Sequence, residues 1–213
     1  MTGDHIDKYT IEDQEVRVRS VYPDQSQILR GIIRLHGGLE CDLTFGNGGF
    51  WKDIDRPRLC FDLNPKKDFV IPADSTRIPI QDNKLKSIIF DPPFLTSIKK
   101  DTPSIMARRF GGYWSYEDLS NHYKKTLREA RRVLKPKGML VFKCQDITHY
   151  HKHRSVHTDI ITWAKDSGFR LKDLFILQAS QRMPMPTRGK QRHARVFHSY
   201  FLVLELGKGD TKV

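Results

Sequence analysis

The sequence predicts an α/β protein built on a mostly parallel, doubly wound sheet with helices on both faces. Short β-rich runs alternate with amphipathic helical stretches, the order that builds parallel sheets from strand–helix–strand units. Several runs are apolar nearly throughout, as in a sheet covered on both sides. The chemically unusual residues fall just after strand ends, where open α/β sheets bind ligands. A chain of 213 residues, 38% hydrophobic and 29% charged, fits one domain over 1–213 that can bury a core without disulfides.

In chain order, the helical stretch Gln25–Leu35 precedes strand runs at Leu39–Phe45, Arg58–Leu63, Phe69–Ala73 and Ser87–Phe90. A second helix over Tyr116–Leu134 is the most regular. Leu119, Tyr123, Leu127, Ala130 and Leu134 recur at steps of three and four, with Lys124, Lys125, Arg128, Arg131 and Arg132 on other faces. Glu117 and Asp118 sit in its first turn, where the helix dipole favours acids. Lys135-Pro136-Lys137-Gly138 stops the helix before a strand at Gly138–Cys144. A third helix at Val156–Asp166 and strands at Asp173–Gln178 and Phe197–Leu206 complete seven strands.

The charge points to a polyanionic partner. Lys and Arg exceed Asp and Glu by a formal +12, with pI near 9.7. No acid occurs from Leu174 to Leu204, where Arg182, Arg188, Lys190, Arg192 and Arg195 cluster. No apolar run approaches the roughly 18–20 residues of a membrane span. The polar, acidic start is no secretory signal, and Cys41, Cys60 and Cys144 read as reduced core cysteines. These features lead to the expectation of a cytoplasmic protein. The tract His149-Tyr150-His151-Lys152-His153-Arg154 matches no metal spacing and reads as a solvated loop.

Four strand-end motifs carry the chemistry. Asp42-Leu43-Thr44-Phe45-Gly46-Asn47-Gly48-Gly49 bends the backbone where a Cβ would block a ligand, without the pattern of a phosphate loop. Asp62 ends the next strand, where an acid accepts bonds from ribose hydroxyls. Asp74, followed by Ser75, is placed to accept from an adenine amino group or to cap a turn. The fourth motif is Ile88-Ile89-Phe90-Asp91-Pro92-Pro93-Phe94. Its two prolines remove backbone donors and fix φ, leaving rigid carbonyls beside an acid and an aromatic ring. That set suits a planar heterocycle bearing an NH₂ group: two acceptors for its hydrogens and a ring to stack on.

In this order the motifs resemble those of class I S-adenosylmethionine-dependent methyltransferases that modify exocyclic amino groups, among them compact DNA adenine methyltransferases of phages and mobile elements. The resemblance runs from about Leu39 to Leu206. It implies a Rossmann-like, seven-stranded sheet whose last strand is antiparallel, with residues 1–37 packing on the cofactor side. It also implies that Asp42, Phe45, Gly46, Asn47 and Gly48 meet the methionine end of S-adenosylmethionine, that Asp62 meets its ribose, and that Asp74 and Ser75 meet its adenine. By the same resemblance Asp91, Pro92, Pro93 and Phe94 are expected to form the catalytic corner, with no metal required. Asn47 departs from the Ser, Thr or Cys common in the family, and no separate target-recognition domain is expected within these 213 residues.

Two segments are expected to face nucleic acid. The first is 95–115, with Lys99, Lys100, Arg108, Arg109, Tyr113 and Trp114. The second is 180–195, with Arg182, Arg188, Lys190, Arg192 and Arg195. The expected reaction is direct methylation of the 6-amino group of adenine, flipped out of DNA, with DNA favoured over RNA. Alternatives are an RNA adenine or guanine amino methyltransferase, a DNA cytosine 4-amino methyltransferase, and a catalytically silent nucleic-acid-binding module.

Overall fold

The computed structural model describes residues 17–96, 112–150, 152–179 and 193–208. In order these form β1 (Val21–Tyr22), α1 (Gln25–His36), β2 (Cys41–Asp42), a 3₁₀ turn (Gly49–Trp51), β3 (Leu59–Asp62), β4 (Ile71–Pro72) and β5 (Leu85–Phe90). Then come α2 (Tyr116–Val133), β6 (Leu134–Cys144), β7 (Ile147–His149), β8 (Lys152–Arg154), α3 (Val156–Asp166), β9 (Phe169–Gln178) and β10 (His198–Leu206).

The main sheet runs β1-β9-β10-β6-β5-β2-β3-β4. β2, β3, β4, β5 and β6 pair in parallel. β10 lies antiparallel between β6 and β9, as the sequence predicts for the last strand. Among the described residues the sheet has eight strands rather than the expected seven, because β1 adds in parallel to the edge of β9. Two residues are too few to show a period-2 pattern.

Alternation along the central strands sorts the core into two layers. Ile88, Phe90, Leu140, Phe142, Leu202 and Leu204 face α2 and α3, meeting Leu119, Tyr123, Leu127, Ala130, Val156 and Ile160. Their intervening neighbours Ile89, Val141, Phe201 and Val203 face α1, meeting Ile28, Leu29, Ile32 and Trp51. Phe90, Tyr123 and Phe142 pack edge to face with centroids 5.0–6.1 Å apart, and burying each such ring stabilises by roughly 1.5–3 kcal/mol. Asp24 caps α1 by accepting from Ser26 N–H. Ser115 and Asp118 close a reciprocal capping box on α2.

Two local expectations are corrected. Leu134 leaves the helix for β6, and Lys135–Gly138 forms a bulge within that strand: β5 pairs Leu85 with Leu134 and Ser87 with Met139. A side chain at 138 would place its Cβ 2.7 Å from the Lys135 carbonyl, so glycine is required there. The histidine-rich tract is solvated as expected, with Tyr150, Lys152, His153 and Arg154 exposed, but it is not a loop. It lies on the antiparallel hairpin β7–β8, with Tyr150 at φ 46° in the turn and His149 buried. Hairpins with two-residue turns usually announce themselves by Asn-Gly or Asp-Gly, and none is present.

Candidate active site

Parallel pairing brings the carboxyl ends of β2, β3, β4 and β5 to one edge, and with them Asp42, Asp62, Asp74 and Asp91. Their surroundings differ. Asp42 is 2% exposed. One oxygen accepts from Thr44 N–H at 2.8 Å and the other from the Trp51 indole N–H at 2.7 Å. Burial pushes its carboxyl up to about 7, against those two bonds and helped by the nearby Asp91 and Asp62. Asp42 is therefore the anchor around which the glycine loop folds.

The loop adopts the left-handed region at Gly46, φ 58°, and Gly48, φ 78°. A Cβ on Gly48 would lie 3.0 Å from the Phe45 ring. Gly46 N–H donates to Asp62 at 2.7 Å, and the other Asp62 oxygen accepts from Asn64 N–H at 2.8 Å. Phe45 is buried, and Asn47 is exposed at the tip. Asp74 accepts from the N–H and the hydroxyl of Thr76, both at 2.8 Å. Burial raises its carboxyl, but these bonds and the charges of His122 and Lys125 outweigh that and lower it. Ser75 is buried and meets His122 Nε2 at 2.8 Å, while the Tyr113 hydroxyl meets His122 Nδ1.

The Asp-Pro-Pro-Phe corner is tied to this loop. Asp91 N–H donates to Thr44 Oγ1 at 2.8 Å. Tyr123 OH donates to the Pro93 carbonyl at 2.8 Å, whereas no donor among the described residues bonds the Pro92 carbonyl. Asp91 Oδ2 lies 3.2 Å from Lys143 Nζ, and a quarter of the Asp91 side chain stays open. Burial raises the Asp91 carboxyl, and the Lys143 ammonium pulls it back.

Lys143, Thr44 and His122 are site residues that the sequence reading does not single out. A signal for Lys143 exists: it is the cation inside the apolar run Met139–Cys144. Thr44 carries none, since its role depends on β2 lying beside β5.

Of the residues expected to face nucleic acid, Tyr113 is half-buried against His122 and Tyr123. Trp114 and Arg195 are exposed. Lys99, Lys100, Arg108, Arg109, Arg182, Arg188, Lys190 and Arg192 lie outside the described residues. Among the described residues, no helix is long and apolar enough to cross a membrane.

Comparison with solved structures places the fold. A SAM-dependent methyltransferase from Methanosarcina mazei superposes with a TM-score of 0.51 at 9% identity, covering 84% of this chain and 98% of that one. A protein described as a type 11 methyltransferase from Sulfolobus solfataricus gives 0.50 at 19% identity, covering 90% and 96%. A protein described as a DNA modification methylase from Thermus thermophilus, in complex with S-adenosyl-L-methionine, gives 0.44 at 18% identity over 66% of this chain. The chain spans just over half of that protein, 56% of its length. No curated protein matches the chain. The first two likenesses show a Rossmann-like class I methyltransferase fold. Residues 85–209, more than half of the sequence and including the Asp91 corner, match the family model for DNA methylases of the N6/N4 type; the chain belongs to that DNA methylase family.

Proposed function

We propose that the protein transfers a methyl group from S-adenosylmethionine to the 6-amino group of adenine in DNA. One observation carries this reading. Asp91 keeps an oxygen and a quarter of its surface open at the strand edge, next to a Pro92 carbonyl that no described donor occupies, and is bonded through Thr44 to the glycine bend.

The residues present fit the cofactor. Gly46 and Gly48 hold a left-handed bend that side chains disfavour, and Asp62 stands at the end of β3 where a ribose diol is usually bound. Asp62 retains lone pairs for that purpose, since each oxygen takes one backbone N–H. When bound, S-adenosylmethionine supplies a methyl group on a positively charged sulfur. Asp42 fixes Thr44 and Trp51 and so shapes the methionine end of the pocket.

Asp91 Oδ1 and the Pro92 carbonyl accept the two hydrogens of the target amine and hold its nitrogen lone pair in line for attack, while Phe94 stacks on the base. As the nitrogen becomes positive, the Asp91 carboxylate stabilises it. The exposed Trp114 and Arg195, together with the basic residues of 95–115 and 180–195, supply stacking and phosphate contacts.

The test is methyl transfer by the full chain to a panel of DNA and RNA, read by nucleoside mass spectrometry. N6-methyladenine in DNA is the expected product. N4-methylcytosine in DNA, which presents the same two amino hydrogens, or modification of RNA alone would overturn the assignment.

A further inference from the structure

We propose that Lys143 is a positioning residue for methyl transfer: it grips Asp91 by Oδ2, keeps it a carboxylate, and leaves Oδ1 to the target amine. The inference rests on the reading given above and adds a residue to it.

The placement follows from the sheet register. Ile89 pairs with Val141 and Phe90 with Phe142. One step on, Asp91 meets Lys143 across adjacent parallel strands, both on the α1 face by alternation. On the other side, Phe201 of β10 stands directly opposite Lys143. The core pattern would put an apolar residue there, and a lysine occupies it instead.

Its ammonium is 3.2 Å from Asp91 Oδ2 and 3.4 Å from Gln25 Oε1. It also lies over three rings, at 4.7 Å from the centroid of Phe50, 5.5 Å from Phe201 and 5.7 Å from Phe94. Only 11% of the side chain is exposed. A cation caged by aromatic faces has few rotamers left, so the carboxylate it holds is also held. Phe94 belongs both to this cage and to the base-stacking set, so the cage wall and the substrate pocket share a ring.

The chemistry explains why a buried lysine would stand here. A protonated Asp91 offers a hydroxyl donor to the amine and loses its acceptor geometry, and it no longer stabilises positive charge on nitrogen. Burial pushes the group that way. The other titratable groups around Asp91 do not prevent it: Asp42 of β2 is itself acidic and buried, and Tyr123 of α2 is neutral with its hydroxyl committed to Pro93. Lys143 is the cation that opposes protonation.

The experiment compares wild type with Lys143→Met, which keeps the stem inside the cage, and Lys143→Arg, which keeps the charge. Two readouts are taken: the pH profile of kcat on DNA, and the titration of the Asp91 carboxyl by carbon NMR, assigned by its loss in Asp91→Asn. In K143M both the acidic limb and the carboxyl titration should move up by about one unit or more, the effect of losing a cation at this range. On the acidic side of both midpoints, transfer by K143M should fall about tenfold relative to wild type and recover as pH rises past the new midpoint, and K143R should restore most of the shift. Unchanged midpoints in K143M would overturn the proposal.

If the wild type methylates no nucleic acid, the reading above fails while the carboxyl titration still decides the pair. If K143M does not fold, Lys143→Gln takes the same two readouts as the charge-removing variant that keeps a polar tip, and unchanged midpoints of the acidic limb and of the Asp91 carboxyl in it would overturn the proposal.

Discussion

The carboxylate of Asp42 has both oxygens bound inside the protein, to Thr44 N–H and the Trp51 indole, whereas Asp91 gives one oxygen to Lys143 and keeps the other open. The two residues end adjacent parallel strands, and Thr44 bridges their surroundings. The difference separates an acid that builds a pocket from an acid that can act in one. Asp42 is 2% exposed with two neutral donors and no compensating cation, so its burial raises it to about 7. Burial raises Asp91 too, but beside a cation and with a quarter of its side chain open.

The largest effect that tests this contrast comes from Asp91→Asn. The amide keeps the shape but loses the charge, and kcat should fall by about a hundredfold or more, the scale of removing one electrostatic stabiliser from a polar transition state. Cofactor binding, measured by titration calorimetry, should change little. If turnover survives, Asp91 is not the acceptor of the amine.

Asp42→Ala should act on stability instead. Leaving the Trp51 N–H and the Thr44 N–H without partners in a 2%-exposed site costs about 2–3 kcal/mol, read as a lower denaturant midpoint. The pH dependence has a definite sign. The folded carboxyl, raised to about 7, holds its proton more tightly than the unfolded one, whose value is 3.8. Wild-type stability therefore declines as pH rises from about 4 to about 7. The alanine variant should show a shallower slope, the remainder carried by Asp91, which burial also raises, and an unchanged slope would assign it to other groups.

The same contrast explains what can be read without the structure. Glycines in a strand-end bend, an acid after each of several strands, and Asp-Pro-Pro-Phe are local chemistry, each confined to a few consecutive residues. The α2 stripe from Leu119 to Ala130 is equally local, and those residues are fully buried as its spacing predicts. Lys143 escapes a sequence reading because its meaning depends on register. In isolation it interrupts an apolar run, and only the pairing of β5 with β6 sets it beside Asp91, more than fifty residues away in the chain. The β7–β8 hairpin is hidden for a related reason: His149 is buried against Thr96, a residue from the other side of α2 in sequence, not by any periodicity of its own tract. The short edge strand β1 likewise owes its existence to β9.

A smaller effect sharpens the pocket side of the comparison. Gly46 and Gly48 both adopt left-handed φ, so alanine at either position should cost about 1–2 kcal/mol from backbone strain. They differ in what a Cβ meets: at Gly46 nothing lies closer than 3.9 Å, whereas at Gly48 the Phe45 ring is at 3.0 Å. Phe45 is buried and packs edge to face on Phe69 at 5.3 Å, so it cannot retreat without disturbing a second ring. Gly48→Ala should therefore destabilise more than Gly46→Ala in chemical denaturation. It should also raise the KM for S-adenosylmethionine by a larger factor than it lowers kcat, because the damage enters through the loop and not through the Asp91–Lys143 pair. Equal costs for the two alanines would mean that the Phe45 contact is slack. A loss confined to kcat would mean that the glycine bend and the acidic corner work as one unit joined by Thr44, and the division between building and reacting acids would have to be redrawn there.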